Sequence, residues 1–172
     1  ITSVNGDSAK VYGLELAYSQ KFSWLPAPWN GLLLNANGTF THSDADIEQF
    51  DQDLGAMRSR SISLPGQSDV TGNLTLGWEN DKLSLRLSGN YKSNYLDEVG
   101  DVLDARYDYK VDDQLFVDFS AGYFLRDNLQ VFFEAQNITD ESYYVYTGKS
   151  RYNAQYEEYG PSYKIGLTLT HF

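Results

Sequence analysis

The chain has no cysteine, one methionine, four prolines and two histidines among its 172 residues. Without cysteine, neither a disulfide framework nor a thiolate metal site can form. The histidines, His42 and His171, lie far apart in the sequence, which argues against a zinc site or a catalytic histidine. No glycine-rich phosphate loop or nucleophile elbow occurs. We therefore predict no catalytic residue, no metal site, no cofactor and no enzymatic activity.

Positive charge and long apolar runs are also scarce. The 13 Lys and Arg residues are outnumbered by 24 Asp and Glu residues, and the net charge of -11 argues against a nucleic-acid partner. No apolar run reaches the roughly 18 residues of a membrane helix. A membrane β-barrel is still compatible with this, because its strands alternate and hardly affect the mean hydropathy, here -0.48. No signal peptide is visible and the first residue is Ile1, so we interpret the chain as mature, trimmed or a fragment.

Alternation of large residues with small or polar ones is abundant along the chain. Leu83, Leu85 and Leu87, for example, alternate with Ser84 and Arg86. Such alternation indicates β-strands, and about ten residues is the length that a tilted strand needs to cross a bilayer. We predict seven strands, at residues 10–22, 31–42, 69–79, 82–95, 114–125, 129–139 and 163–172.

The connections between these strands alternate strictly between short and long. The short ones are residues 23–30, 79–81 and 126–128, and the long ones are residues 43–68, 96–113 and 140–162. All short turns therefore lie at one end of an up-and-down sheet and all long loops at the other. This is the layout of outer-membrane barrels, with periplasmic turns and extracellular loops. A soluble sandwich has no reason to segregate its loops in this way.

A transmembrane barrel wall has one face toward lipid and one toward the lumen. An Arg on the lipid face costs about 2–4 kcal/mol at the bilayer midplane. We therefore predict that Arg86, Asp118 and Glu134 face the lumen. The residues predicted to face lipid are Leu74, Leu76, Leu83, Leu85, Leu87, Val117 and Phe119.

Aromatic residues lie near the predicted ends of the strands. Trp24, Trp29 and Trp78 fall at the short-turn end, where an aromatic girdle on the periplasmic side would meet the lipid headgroups. Three core tryptophans are the alternative. The opposite end is rich in tyrosine, and the candidate ligand-facing residues of these outer loops are Tyr143, Tyr144, Tyr146 and Tyr152.

An acidic run occupies residues 44–53 of the first long loop. Its carboxylates belong to Asp44, Asp46, Glu48, Asp51 and Asp53. Oxygen ligands at alternate positions suit calcium, but the spacing lacks the glycine and the terminal glutamate of an EF-hand loop. We therefore expect a solvated acidic loop rather than a calcium site.

The first tight turn predicts a specific strand register. Asn80 and Asp81 suit a two-residue type I′ turn, because Asn tolerates positive φ. That turn places Trp78 opposite Leu83, which keeps apolar residues next to apolar residues.

The second tight turn predicts an aromatic contact. Matching the faces places Leu125 opposite Leu129 and, further along, Gly122 opposite Phe132. A glycine in a strand leaves a gap that a large ring on the neighbouring strand can fill. We therefore predict that Phe132 covers Gly122 on the lumen side.

The last third of the chain carries a family resemblance. Residues 128–148 read NLQVFFEAQNITDESYYVYTG, and residues 159–172 read YGPSYKIGLTLTHF. These stretches resemble the end of a TonB-dependent outer-membrane receptor. The shared features are an aromatic-rich strand, a motif formed here by Asn137, Thr139 and Asp140, further tyrosines, a glycine-bearing final strand and a terminal Phe. The stretch LPGQSD resembles sequences of the large branch of this family that is found in bacteria such as Caulobacter and Xanthomonas.

The resemblance implies a closed barrel of about 22 strands with an N-terminal plug. Residues 1–172 would then be the C-terminal part of an all-β, antiparallel, up-and-down transmembrane barrel, with the plug and earlier strands absent. The last strand would close the barrel against its first strand, and Gly166 and Phe172 resemble the signal recognised by the barrel assembly machinery. Further implied partners are the lipid of the Gram-negative outer membrane and TonB, contacted through the missing N-terminal region.

The function implied by the resemblance is active import of a scarce, bulky nutrient. The ligand would be a ferric siderophore or an oligosaccharide, and the branch and the Tyr-rich loops favour the oligosaccharide because sugar rings stack on tyrosine. One alternative is a small, self-contained passive outer-membrane barrel or adhesin, although an odd strand count argues against it. Another is a soluble lipocalin-like binding protein.

Overall fold

The computed structural model of the chain describes residues 8–170. Its strands are β1 (Ala9–Lys21), β2 (Leu32–Asp51), β3 (Ala56–Ile62), β4 (Val70–Glu79), β5 (Leu83–Lys92), β6 (Tyr95–Glu98), β7 (Tyr109–Val111), β8 (Gln114–Arg126), β9 (Leu129–Gln136), β10 (Tyr143–Thr147), β11 (Asn153–Glu157) and β12 (Ser162–Leu169). Two short 3-10 helices, Trp29–Gly31 and Ala105–Tyr107, lie in connections. Between residues 8 and 170, no helix is long and apolar enough to span a membrane.

Seven long strands form an antiparallel sheet in the order β1-β2-β4-β5-β8-β9-β12, which we call the wall sheet. This order follows the chain, apart from the short strands inserted in the long connections. The predicted all-β, up-and-down architecture is therefore confirmed. Within residues 8–170, β1 pairs only with β2 and β12 pairs only with β9, so the wall sheet does not close on itself.

The wall sheet has one apolar and one polar face, as the alternation predicts. On the apolar face, Leu76 pairs with Leu87, and Leu87 pairs with Phe119. On the polar face, Arg86 lies opposite Ser120. Leu76 is 50% exposed, because nothing in residues 8–170 covers the apolar face at this point. In a membrane barrel, such a face contacts lipid.

A ladder of side-chain hydrogen bonds crosses the polar face. Asn73 Nδ2 donates to Asn37 Oδ1 at 2.8 Å, and Asn90 Nδ2 donates to Asn73 Oδ1. In the next row, the hydroxyls of Thr75 and Ser88 are 3.0 Å apart. Asn is normally depleted in strands, but here each of the three amides forms a hydrogen bond with a cross-strand neighbour. The result is a hydrogen-bonded polar surface of the kind that lines a barrel lumen.

The β4–β5 hairpin keeps the predicted faces in a different register. Trp78 pairs with Leu85, not with Leu83, and the N–H of Asn80 donates to the Leu83 carbonyl at 2.9 Å. The predicted type I′ turn on 80–81 is therefore wrong. Asn80 Oδ1 instead accepts two backbone N–H groups of the turn, at 2.9 and 2.8 Å. This side-chain cap needs no positive φ, and a shift of two residues leaves both faces unchanged.

The β8–β9 hairpin contains a bulge beside its turn. Arg126 pairs with Leu129, and the register of the ladder shifts just before Arg126. Leu125 is therefore the extra, exposed residue, and its predicted pairing with Leu129 is wrong. Beyond the bulge the register is as predicted, with Gly122 opposite Phe132.

The three long connections are largely β-structure rather than irregular loops. β2 continues past the end of β1 and forms a hairpin with β3. The other two connections form a separate sheet in the order β11-β10-β7-β6, which we call the outer sheet. Its small core includes Leu96, Val145 and Val111, the last of which is 0% exposed. The outer segments are therefore packed well enough to hold functional side chains in place.

The three tryptophans lie at the short-turn end of the wall sheet. Trp24 and Trp29 are exposed. Trp78 is partly buried, and its indole N–H donates to the Pro28 carbonyl at 2.7 Å. Indole rings at this level suit a membrane–water interface. The girdle on the periplasmic side stays a prediction.

Candidate functional site

A cleft beside the outer sheet is lined by three basic side chains and one aromatic side chain. It lies between the helix Ala105–Tyr107 and the turn at 147–152, with a volume of about 370 Å³. Its lining residues are Ala105, Arg106, Lys110, Thr147, Gly148, Lys149 and Tyr152. No carboxylate of residues 8–170 is among them, so the cleft concentrates positive charge in a chain of net charge -11. We call it the basic cleft.

The turn at 147–152 closes onto the helix because it contains a glycine. Gly148 has a φ of 62°, in the left-handed region that favours glycine. Its N–H donates to the Asp108 carbonyl at 3.2 Å, and a Cβ added to it would lie 2.8 Å from the Arg106 carbonyl oxygen. The close approach brings the next residue, Lys149, into the basic cleft.

The three cations of the basic cleft differ in how their charge is compensated. The guanidinium of Arg106 contacts Asp104 through Nη2 at 2.6 Å and Nε at 3.0 Å. These hydrogen bonds lower the pKa of Asp104 to about 2. Among the described residues, Lys110 and Lys149 have no carboxylate within 4.0 Å. The two ammonium groups are therefore available to an anionic ligand.

A second cleft of about 400 Å³ adjoins the basic cleft and shares Ala105 and Lys110 with it. On its wall, Arg60 donates to both carboxylate oxygens of Asp108, at 2.6 and 2.8 Å, and to the carbonyls of residues 101–102 at 2.9 Å. The side chains are 19% and 4% exposed, and hydrogen bonding to Asp108 raises the pKa of Arg60. This ion pair fastens the β2–β3 hairpin to the segment that forms the basic cleft.

The candidate ligand-facing tyrosines differ in accessibility. Tyr152 is 51% exposed and lines the basic cleft, with the guanidinium of Arg151 4.9 Å from its ring centroid. Tyr146 is 8% exposed, because β10 is a central strand of the outer sheet, so its ring belongs to the core and not to the ligand-facing surface. Tyr143 and Tyr144 are partly buried, and the Tyr144 hydroxyl donates to a backbone carbonyl of the adjoining turn at 2.6 Å.

Alkaline pH is expected to loosen the outer sheet through tyrosines that are buried or partly buried in it. Burial raises the pKa of Tyr146, Tyr143 and Tyr95. The folded state therefore keeps protons that the unfolded state releases near pH ~10. The stabilisation is complete below that pH and is lost as the pH rises through the folded-state pKa.

Limited proteolysis along a pH series checks this expectation. Tyr146→Phe should delay cleavage of the outer sheet to higher pH, because the phenol that must ionise is gone. Tyr107→Phe alters an exposed tyrosine and is the control. An equal delay in both variants would contradict a role for burial.

The motif of Asn137, Thr139 and Asp140 forms the turn that ends β9. Asn137 and Asp140 have φ values of 52° and 54°. The Asn137 N–H donates to Asp118 Oδ1 at 2.8 Å, and Asn137 Oδ1 accepts the N–H of Glu141 at 2.8 Å. The Thr139 hydroxyl donates to a backbone carbonyl of β8 at 3.0 Å. The motif therefore fastens the outer end of β9 to β8.

The family model described as TonB dependent receptor-like, beta-barrel matches residues 1–138, most of the wall sheet. The chain belongs to the TonB-dependent receptor family. No curated protein and no solved structure matches this receptor. Family members are outer-membrane transport proteins of Gram-negative bacteria, not enzymes, and they act with a ligand and with TonB. Phe172 lies outside the described residues, and its part in assembly stays a prediction.

The acidic run of the receptor lies mostly on β2, in the β2–β3 hairpin, and four of its five carboxylate residues are exposed, as expected for a solvated acidic segment. Asp51 is buried, and its carboxylate accepts hydrogen bonds from Arg58 Nη1 at 3.2 Å and from two backbone N–H groups. The bond from Arg58 lowers the pKa of Asp51. Asp44 accepts the Ser61 hydroxyl at 2.6 Å. Within residues 8–170, no three His, Asp or Glu side chains are grouped to hold a metal ion.

Gly166, a predicted assembly residue, is covered by an aromatic ring. It lies opposite Phe132, and a Cβ added to it would be 2.6 Å from Phe132 Cε1. The predicted cover of Gly122 by this ring is wrong. A Cβ on Gly122 would instead meet Gln130 Nε2 at 2.6 Å and Ser84 Oγ at 3.0 Å. Phe132 therefore has a glycine opposite it on each neighbouring strand. Its ring lies over Gly166, whereas the side chains of Gln130 and Ser84 occupy the space over Gly122.

Proposed function

We propose that the receptor imports a bulky anionic nutrient, which it first holds in the basic cleft. The observation that carries this proposal is the pair of ammonium groups of Lys110 and Lys149 in one cleft to which residues 8–170 contribute no carboxylate. Opposite charge speeds the association of a ligand by about 10- to 1000-fold. A cleft of about 370 Å³ is at the small end for a ligand site, so it would take one charged arm of a bulky ligand.

A ferric siderophore that carries carboxylates is the first candidate ligand. Its charge would complement the two lysines, which a neutral oligosaccharide leaves without a partner. An acidic oligosaccharide is the second candidate, because Tyr152 presents an exposed ring beside the lysines. Exposed Tyr107, in the adjoining helix, offers another ring for stacking. Membership of the Caulobacter-like and Xanthomonas-like branch stays part of this proposal.

The wall sheet would supply part of the route through the outer membrane. We infer that residues 1–172 are the C-terminal part of a larger barrel, since the sheet is open at β1 and β12 within residues 8–170. The apolar face would contact outer-membrane lipid, and the polar face with its asparagine ladder would face the lumen and its plug. Energy would come from TonB through a region outside this chain, and insertion would depend on the barrel assembly machinery.

Uptake by cells that carry the full receptor tests the proposal. The double variant Lys110→Glu/Lys149→Glu turns two attractive charges into repulsive ones. Uptake of radioiron-loaded carboxylate siderophores, or of acidic oligosaccharides, is expected to fall about tenfold or more. Lys82→Glu, at the short-turn end, is the matched control and should leave uptake unchanged.

Two further comparisons separate the alternatives. Neutral siderophores and neutral oligosaccharides should be taken up equally by the parent and by the double variant. An equal loss for neutral and anionic ligands would contradict selection by charge. Uptake that persists in a strain without TonB would favour the passive barrel over the active receptor.

A further inference from the structure

Phe132 of β9 and Gly166 of β12 fit together on the polar face of the wall sheet. The two residues are directly opposite each other. The ring occupies the space of the missing side chain, because a Cβ on Gly166 would lie 2.6 Å from Cε1 and 3.2 Å from Cε2 of Phe132. Lys164 Nζ lies 5.1 Å from the centroid of the same ring and 3.4 Å from Glu134 Oε2.

Alternation alone does not define the register of two strands. A slip by two residues keeps every side chain on its own face. The β4–β5 hairpin shows the consequence, since both Trp78–Leu83 and Trp78–Leu85 satisfy the faces and only the second pairing forms. A tight turn can choose between such registers, but β9 and β12 are joined by residues 137–161, which include the outer strands β10 and β11. Another contact must therefore choose the register of β12.

A slip at β12 would bring a side chain against the Phe132 ring. If β12 slips by two residues in either direction, the residue opposite Phe132 becomes Lys164 or Thr168. Each carries a Cβ where the ring now lies, and Lys164 would no longer be opposite Glu134. Within residues 8–170, the space over Gly122 on the other side of the ring is taken by the side chains of Gln130 and Ser84.

We propose that the Phe132 ring on Gly166 sets the register of β12 against β9. The contact acts as a steric key, because the ring fits only where the opposing strand lacks a Cβ. The lysine–glutamate pair beside it reinforces the same register. The placement of the last described wall strand, and of the open edge that it presents, therefore depends on one ring and one glycine.

Paired cysteines report the register directly when they are the only cysteines present; residues 1–172 contain none, and any elsewhere in the receptor are replaced by serine. In the full receptor in the outer membrane, the pair Val131→Cys/Leu167→Cys reports the observed register. The pairs Val131→Cys/Ile165→Cys and Val131→Cys/Leu169→Cys report slips of two residues. When Phe132 and Gly166 are unchanged, oxidation is expected to link only the 131–167 pair.

The decisive experiment removes the ring of Phe132 from each of these cysteine variants. With Phe132→Ala, slipped links at 131–165 or 131–169 are expected to appear and the 131–167 link to decrease. Phe133→Ala is the matched control, since it removes a ring of the same strand that points to the apolar face. It should retain only the 131–167 link. If Phe132→Ala also retains only that link, the proposal is overturned.

A reciprocal arm adds a side chain at the glycine. Gly166→Val is expected to abolish the 131–167 link, either through a slip or through loss of the heat-resistant barrel. Gly89→Val is its control, because a Cβ at Gly89 meets no atom of residues 8–170 within 4 Å. Retention of the 131–167 link and of heat resistance in Gly166→Val would overturn the steric key.

Discussion

Asp108→Ala is expected to release the outer segments while the wall sheet stays folded. The substitution removes the carboxylate that accepts two hydrogen bonds from Arg60, and the Asp108 side chain is only 4% exposed. Breaking a buried pair from one side costs about 3–5 kcal/mol, because the remaining charge is left without its partner. The loss should appear as faster hydrogen exchange in β3 and in residues 101–111. The wall strands should keep their protection, because their own ladders hold them.

The exposed pair of Asp104 and Arg106 is the matched control. Asp104→Ala removes a carboxylate that also contacts an arginine, but the Arg106 side chain is 84% exposed. Water replaces most of what such a surface pair contributes, and the cap that Asp104 Oδ1 gives to the Arg106 N–H acts only on the helix Ala105–Tyr107, so exchange in β3 should change little. If Asp104→Ala and Asp108→Ala accelerated exchange equally, burial would not explain the difference that we expect.

Asn137→Ala is expected to destabilise the end of β9 by about 3–4 kcal/mol. A left-handed backbone costs alanine about 1–2 kcal/mol, and each lost hydrogen bond costs about 1 kcal/mol more. Asn137 has a φ of 52°, and its side chain accepts the Glu141 N–H and donates to the Glu141 carbonyl. Denaturant unfolding of the receptor in detergent measures the change.

Two glycine variants separate backbone strain from hydrogen bonding. Asn137→Gly keeps the left-handed backbone and loses only the side-chain bonds, so it should cost about half as much as Asn137→Ala. Asp140→Gly, at the other residue of positive φ, should cost nothing or stabilise slightly. Equal losses in Asn137→Ala and Asn137→Gly would show that the backbone conformation is unimportant.

The strands of the wall and their faces could be predicted because they depend on a local signal. Leu83, Leu85 and Leu87 share a face in any strand, whatever the strand pairs with. The registers between the strands were harder to predict from the sequence. The side chain of Asn80 caps its turn and shifts β5 by two residues, and the bulge at Leu125 inserts a residue beside the next turn. Both devices preserve alternation, so alternation does not reveal them.

The basic cleft was missed because its residues come from two distant connections. Lys110 lies on β7, and Lys149 follows β10. The pairing of Tyr146 with Lys110 brings the two segments together. The only local signal was the glycine before Lys149, which marks a turn but not its partner. The same pairing buries Tyr146, which the sequence had suggested as a ligand contact.

The sequence by itself determined an all-β chain, seven wall strands, two unlike faces and the segregation of short turns from long connections. Period-two alternation and the spacing of turns carry that information, and neither requires knowledge of distant residues. Only the tertiary structure decided the registers, the outer sheet, the basic cleft and the glycine that Phe132 covers. These depend on which surfaces meet and how closely they fit. The ring of Phe132, for example, lies against Gly166, while the side chain of Gln130 lies against Gly122. Such a choice between equivalent neighbours is made by packing, because both pairings satisfy the same alternation.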